Sequence, residues 1–136
     1  MTLFPYTTLF RSVALADGSG LSKQNRLTPG LLVAVLHTSL RGAGGEVLRA
    51  CLPVSGKSGT LSDRFTGTDL VGRVRAKTGW IRGASSLSGV VERRDGSELS
   101  FAILMNYDPK KGGLNRDLQR LQEQIVAAIA AIVPER

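Results

Sequence analysis

The chain has 136 residues, of which 42% are hydrophobic, and a formal charge of +7. That length allows one domain or a piece of a larger one, and the hydrophobic share excludes a disordered chain. No apolar run approaches the roughly 18 residues of a membrane span. Aromatic residues make up only 5%, so neither a transmembrane segment nor a nucleic-acid surface is expected.

The first twelve residues form a distinct segment. Residues 2–12 read Thr-Leu-Phe-Pro-Tyr-Thr-Thr-Leu-Phe-Arg-Ser, which resembles the translation of a common short-read sequencing adapter. We therefore predict that residues 1–12 are an assembly artefact, to be excluded from fold reasoning. Residues 13–136 are then expected to be the C-terminal part of a longer domain.

Turn and cap residues organise the first half of the chain. The segment 17–22, Asp-Gly-Ser-Gly-Leu-Ser, is typical of a loop. Thr28 followed by Pro29 predicts a helix start, and apolar residues then recur at helical spacing until Gly42. A helical turn is expected at 46–52, and a glycine-rich loop at 55–60 leads into a short helix near 61–65.

The second half predicts a small sheet followed by a helix. Three strands are expected at about 71–80, 84–92 and 98–106, and Asp95-Gly96 indicates a tight hairpin between the last two. The closing helix should pack on the sheet through an apolar stripe and turn its charged residues, Glu123 among them, away. That stripe comprises Leu114, Leu118, Leu121, Ile125, Ile129 and Ile132. The predicted fold class is α/β of the α+β type, with an antiparallel sheet.

Two Lys-[Ser/Thr]-Gly triplets compete for a functional role, at residues 57–59 and 77–79. The first lies among turn glycines, whereas the second ends a predicted strand, where Lys77 is held more rigidly. Alternation along the strand places Lys77 on the face opposite to Ala76 and Thr78. We therefore assign the role to the second triplet, since a lysine and a hydroxyl there could grip a carboxylate beside an acyl-transfer centre.

Other site chemistries fit the sequence poorly. A phosphate-binding loop needs a glycine five residues before Gly56, and Cys51 stands there. One cysteine and one histidine offer no cluster of metal ligands, so no metal is expected, and no cofactor is predicted.

Four segments together resemble a known family. They are residues 17–25, Thr28-Pro29, residues 52–61 and residues 76–79. In order and spacing they are similar to the C-terminal third of the D-alanyl-D-alanine carboxypeptidases/endopeptidases of the class C low-molecular-mass penicillin-binding proteins. The resemblance implies part of a penicillin-binding/β-lactamase-like domain and a periplasmic or extracytoplasmic location.

The resemblance also implies a chemistry. A serine attacks the D-Ala-D-Ala bond of a peptidoglycan stem peptide, and water then releases the acyl-enzyme. Lys77 and Thr78 match the residues that orient the substrate carboxylate and sustain the proton network. Gly79 lets the substrate lie along the strand edge, and the backbone N–H of Trp80 is one of two oxyanion donors. β-Lactam antibiotics are implied as covalent inhibitors of the full-length protein.

The loop at 17–22 resembles the segment that closes one side of the pocket. Its implied substrate-binding residues are Asp17, Ser19, Gly20, Leu21 and Ser22, and the side chain of Leu21 is a candidate contact for the peptide side chain.

Two elements of the family pattern are missing. The chain contains no Ser-x-x-Lys, which would supply nucleophile and base, and no Ser-x-Asn. The 136-residue chain alone is therefore expected to be inactive. Two alternatives stay open at this point: a fragment of a β-lactamase-like enzyme, and a non-catalytic interaction domain in which the triplet is incidental.

Overall fold

A computed structural model of the chain describes residues 13–132, so the predicted adapter-derived segment lies outside the described residues. The elements in order are α1 (Pro29–Arg41), α2 (Gly45–Cys51), a 3₁₀ turn (Gly59–Leu61), β1 (Val74–Ile81), β2 (Ala84–Glu92), β3 (Glu98–Asn106) and α3 (Asn115–Ala131). The strands form an antiparallel sheet in the order β1-β2-β3. Helix α3 packs on β2 and β3, which confirms the predicted α+β class.

Local sequence signals set the bounds of α1. The hydroxyl of Thr28 accepts a hydrogen bond from the backbone N–H of Leu31 at 3.2 Å, and Pro29 occupies the first turn. The helix ends before Gly42, as predicted. Gly45 begins α2, where a Cβ would lie 2.0 Å from the carbonyl oxygen of Leu40. A glycine is therefore required for α2 to follow α1 this closely.

The predicted helix near 61–65 is wrong. The chain forms only the 3₁₀ turn Gly59–Leu61 there, followed by further turns. Phe65 is buried with a φ of 62°, in the left-handed region, so no helix continues through it. Burial of its ring in the core supports that backbone conformation.

Strand β1 begins later than predicted. Turns occupy the residues before it, with the N–H of Arg73 bonded to the carbonyl of Leu70 at 3.0 Å and Gly72 at a φ of 80°. The strand starts only at Val74. The tight turn at Gly83, with a φ of 98°, then returns the chain into β2.

One core lies between the sheet and α3. It contains Leu61, Phe65, Leu70, Val74, Ala76, Leu87, Val91, Phe101 and Val126. Its strand members alternate along the chain, so they lie on one face of the sheet. Val90, the neighbour of Val91 on β2, is buried outside this cluster, and α1 also packs on β3 and β2. On β1 this alternation turns Lys77 away from the core face, as predicted, and leaves it exposed.

The predicted packing face of α3 needs correction. Leu121 and Ile132 are 45% and 59% exposed, whereas Gln122 is buried and Glu123 is only partly exposed. Both inward-facing polar side chains find partners, since Arg64 donates hydrogen bonds to each of them. Because buried hydrogen-bonding partners were available, polar residues could occupy positions that an apolar stripe was expected to fill. Among residues 13–132, no helix combines the length and apolar character needed to cross a membrane.

Candidate functional site

The outer edge of β1 is covered along its first half only. The N–H of Ala76 donates to the carbonyl of Pro53 at 3.0 Å, and the N–H of Ser55 donates to the carbonyl of Val74 at 2.9 Å. Backbone groups of successive strand residues point to opposite sides. The N–H groups of Thr78 and Trp80 therefore point toward the same outer edge as that of Ala76.

Beyond Ala76 this edge is open. Within residues 13–132 no backbone segment pairs with β1 on that side past the Val54–Arg75 bridge. On its other side, β1 pairs with β2 along its whole length, from Val74 to Ile81. The stretch from Thr78 to Trp80 thus offers the unpaired N–H groups of Thr78 and Trp80 to an extended ligand, as in strand addition.

The ammonium group of Lys77 lies beside this open edge. Its Nζ donates a hydrogen bond to the carbonyl of Thr78 at 2.6 Å, and the side chain is exposed. The charge is thus offered at the surface of the described residues and not inside a closed cavity. It can meet an anionic group of a ligand that lies along the edge.

Two further features shape this end of β1. The hydroxyl of Thr78 donates to the hydroxyl of Thr60 at 3.0 Å, which adds the glycine-rich loop to the site. A Cβ on Gly79 would lie 2.2 Å from Oγ of Ser86 on β2. The sequence did not predict Thr60 as a site residue. The only sequence feature that pointed to Thr60 was its place in residues 52–61, one of the four segments that resemble the family.

Trp80 forms a fixed aromatic surface at the end of the open edge. Its indole is 48% exposed and stacks on the ring of Tyr107, with centroids 5.4 Å apart and an interplanar angle of 23°. The Tyr107 hydroxyl donates to the carbonyl of Ile81 at 3.4 Å, a weak bond. Stacking thus fixes the side chain that flanks the unpaired N–H.

The loop at 17–22 is organised by the carboxylate of Asp17. It accepts hydrogen bonds from the Ser19 hydroxyl, from the N–H groups of Gly20 and Ser22, and from the side-chain amide of Asn25, at 2.9–3.1 Å. The Asn25 amide and the Ser19 hydroxyl hold the pKa of Asp17 below its usual value. Asn25 was part of the recognised segment but was not selected as a site residue.

The loop and the strand meet in one groove of about 480 Å³. Gly20 and Asn25 line it on the loop side, and Gly79 and Trp80 line it on the strand side. The other predicted loop residues, Asp17, Ser19, Leu21 and Ser22, are not among those that line it. Asp17, Ser19 and Ser22 form hydrogen bonds within the loop, where Asp17 accepts from the other two. Leu21 is 69% exposed.

Among residues 13–132, no group of three or more potential metal-ligating side chains comes together. The groove offers backbone donors, hydroxyls and an aromatic face, and the ammonium of Lys77, which is not among the residues that line it, lies beside the adjoining open edge. These groups can hold an extended anionic peptide and can stabilise negative charge on a carbonyl oxygen.

Comparison with known proteins supplies the family. The model of the D-Ala-D-Ala carboxypeptidase 3 (S13) family matches residues 6–129. The chain belongs to this family. Its penicillin-binding resemblance, predicted from the four sequence segments, is thereby confirmed.

Similar proteins cover both curated sequences and solved structures. Carboxypeptidase DacB of Mycolicibacterium smegmatis is 42% identical over 68% of this chain and 21% of its own length. Penicillin-sensitive carboxypeptidase A of Dictyostelium discoideum is 35% identical over 97% of this chain and 26% of its own. The crystal structure of penicillin binding protein 4 (dacB) from Haemophilus influenzae superimposes with a TM-score of 0.80 at 27% identity, covering 90% of this chain and 28% of that one. A second structure of that protein, complexed with a β-lactam, gives 0.78 at 27% identity, covering 90% and 29%.

The extent of these matches limits what they show about activity. The S13 chain described here spans 21% and 26% of the lengths of those two curated relatives. These matches therefore show the family of the chain, and not the activity or substrates of a whole protein.

Proposed function

We propose that the chain is the C-terminal part of a serine-type D-Ala-D-Ala carboxypeptidase/endopeptidase that acts on peptidoglycan stem peptides through an acyl-enzyme. The observation that supports this most directly is the open edge of β1 at Thr78–Trp80, with the Lys77 ammonium beside it. Membership of the S13 family supports the same reaction class.

The edge suggests how a stem peptide would bind. A peptide that pairs antiparallel to β1 has its C-terminus toward the beginning of that strand, so its carboxylate falls near Lys77 and Thr78. The penultimate carbonyl then lies near Trp80, whose N–H can donate to the oxygen on which negative charge develops. Gly79 leaves the backbone accessible between these two contacts.

The chemical step is acyl transfer. A serine oxygen adds to the penultimate carbonyl carbon as a base takes its proton. The C–N bond to the terminal D-Ala then breaks, and the amine leaves with a proton. Water hydrolyses the resulting ester. Residues 1–136 contain no Ser-x-x-Lys and no Ser-x-Asn, so we propose that residues outside them supply the nucleophile and base. The chain alone should then be inactive.

Partners and location follow from the same proposal. A β-lactam resembles the D-Ala-D-Ala end of the peptide, and a structural relative has been crystallised with one. The full-length protein should therefore be acylated by penicillins. Its substrate lies in the cell wall, which places the enzyme in the periplasm or elsewhere outside the cytoplasm.

Binding to the open edge can be tested on the 136-residue chain. We expect Nα,Nε-diacetyl-L-Lys-D-Ala-D-Ala to shift the backbone amide NMR signals of Thr78 and Trp80. The Lys77→Ala variant should bind about tenfold more weakly, and Lys111→Ala, which removes another exposed lysine, should bind as the parent does. Saturable shifts elsewhere, or equal affinity in Lys77→Ala, would contradict the proposed edge site.

The reaction class needs the gene beyond this chain. Sequencing reads that cross the codon for Val13 should continue upstream into a Ser-x-x-Lys and a Ser-x-Asn. The family match begins at residue 6, so the same reads also decide whether residues 1–12 are native. Persistent acylation of the restored protein by a labelled penicillin, with release of D-Ala from the peptide, is the expected result. Rapid penicillin hydrolysis would indicate a β-lactamase instead.

A further inference from the structure

A buried polar chain lies directly behind the open edge of β1. Gln122 is 1% exposed in the middle of α3, where packing usually favours an apolar side chain. Its Nε2 donates to the hydroxyl of Ser85 on β2 at 3.0 Å, and its Oε1 accepts from Nη2 of Arg64 at 3.3 Å. The amide therefore connects the helix to the sheet and to the turn after the 3₁₀ element.

Arg64 extends this row of hydrogen-bonded polar side chains into the turn after the 3₁₀ element. Its guanidinium, in a residue only 7% exposed, also donates to the carbonyl of Gln119 at 3.0 Å and forms an ion pair with Glu123. The next residue, Phe65, has a φ of 62°, a conformation that needs support from its surroundings. Arg64 thus fixes the turn that follows Thr60, whose hydroxyl contacts Thr78.

Ser85 places the other end of this chain at the site. In the register of β1 and β2, Ser85 lies directly opposite Trp80. A cavity of about 180 Å³ brings the two groups together, because Gln122 and Ser85 line it together with Thr78 and Trp80. Every buried side-chain nitrogen and oxygen of the described residues has a partner. Breaking one link therefore leaves the polar atoms of that link without this partner.

We propose that Arg64, Gln122 and Ser85 are positioning residues for the open edge: through the Thr60 turn and through β2 they fix where Thr78 and Trp80 meet a ligand. This inference rests on the proposed function for its ligand, but not for the positioning itself. Buried polar side chains in this place stabilise the fold less than well-packed apolar ones would. In return, their hydrogen bonds hold α3, β2 and the turn after Thr60 in one arrangement around the edge.

The test uses Trp80, the only tryptophan in the chain, as the reporter. Gln122→Met keeps the length of the side chain and removes both hydrogen bonds, while Gln122→Glu keeps the acceptor for Arg64 and replaces the donor to Ser85 by an acceptor, to which the Ser85 hydroxyl can itself donate. Ser85→Ala breaks one link by a smaller change. Ser100→Ala, at a half-buried serine on β3, is the matched control. Urea unfolding of each variant gives the folded fraction.

We expect Gln122→Met and Ser85→Ala to change the emission maximum and acrylamide quenching of Trp80 in the folded state. Both should weaken binding of Nα,Nε-diacetyl-L-Lys-D-Ala-D-Ala by about threefold or more, and the double variant should add little, as for residues in one network. Gln122→Glu and Ser100→Ala should behave as the parent.

The outcomes separate this inference from the proposed function. Lower stability with unchanged Trp80 quenching in both variants would overturn the positioning role and leave only a structural one. If the parent itself fails to bind the peptide, the edge site of the proposed function fails, while the quenching results still decide the positioning. Should Gln122→Met not fold, Ser85→Ala with Ser100→Ala decides alone.

Discussion

The two ends of strand β1 are built for different tasks. At its beginning, Val74 and Ala76 are fully buried and their outer edge is covered by the segment at Pro53–Ser55. At its end, Thr78–Trp80 is half-exposed, and no described residue pairs with its outer edge. One strand thus carries core packing at one end and available binding groups at the other.

This difference shows how a small sheet can hold reactive groups in place without enclosing them. The closed end is anchored by the core, and the rigid backbone transmits that anchoring over a few residues to the open end. Functional segments generally belong to the less stable parts of a structure. Substitutions at the closed end should therefore change stability, whereas substitutions at the open end should change binding.

The largest effect is expected from Leu61→Ala. Leu61 is completely buried in the core beside the closed end, so the cavity should lower the free energy of unfolding by about 2–5 kcal/mol. Leu21→Ala is the matched control, because Leu21 is 69% exposed and should change it by less than about 0.5 kcal/mol. Urea titration followed by circular dichroism measures both. Equal losses would remove the contrast between core and loop.

A pair of glycines on neighbouring strands makes the comparison sharper. A Cβ on Gly89 would lie 2.1 Å from the carbonyl oxygen of Arg75, a backbone atom that cannot move aside. Gly89→Ala should therefore cost about 1–3 kcal/mol of unfolding free energy. On Gly79 the obstacle is the Ser86 hydroxyl, which can rotate to another rotamer.

Gly79→Ala should therefore cost less than about 1 kcal/mol and should act on binding. Its methyl group narrows the groove that Gly79 and Ser86 line, so the affinity for the acetylated D-Ala-D-Ala peptide should fall while the unfolding curve barely moves. A larger loss of unfolding free energy in Gly79→Ala than in Gly89→Ala would contradict the assignment of core packing to the beginning of β1 and of binding to its end.

Sequence patterns predicted the elements well where one physical signal dominated. Thr28-Pro29 and Gly42 bound α1, and the Asp95-Gly96 turn separates β2 from β3. They failed where long-range contacts decide the local structure. The left-handed conformation of Phe65 depends on burial against residues distant in sequence, and the inward turn of Gln122 depends on Arg64.

The candidate site shows the same division. Lys77, Thr78 and Gly79 are neighbours in sequence, so their placement at one strand end could be predicted. That Gly20 reaches the groove beside Gly79 is a tertiary contact which no periodicity reveals. Only resemblance to a family pointed to that loop. The roles of its individual side chains stay predictions.

A buried hydroxyl at the closed end should have a smaller effect than the Leu61→Ala cavity. Ser55 is fully buried, and its Oγ donates to the carbonyl of Leu70 at 2.6 Å and accepts from the N–H of Val74 at 3.1 Å. Ser55→Ala leaves both backbone groups without that partner and should cost about 1–3 kcal/mol. Thr78→Val removes an exposed hydroxyl and should cost no more than about 0.5 kcal/mol. Similar costs in thermal or urea unfolding would argue against the distinction.

The smallest effect is expected on the stability of the loop at 17–22 when the pH is lowered. Hydrogen bonds from the Asn25 amide and Ser19 hydroxyl lower the pKa of Asp17 from its ordinary value of 3.8. A carboxyl with a depressed pKa in the folded chain contributes stability above the ordinary pKa and loses it as pH falls through the depressed one.

The loop should therefore keep its structure from neutral pH down to about 4 and loosen only below the ordinary value. Amide NMR signals of Gly20 and Ser22 should follow the carboxyl titration of Asp17 in that acidic range, while those of Thr78 and Trp80 at the strand end stay unchanged. In Asp17→Asn the acid transition of the loop should vanish, because no ionisable group remains there. A transition near neutral pH would show that another group controls the loop and would break its separation from the strand.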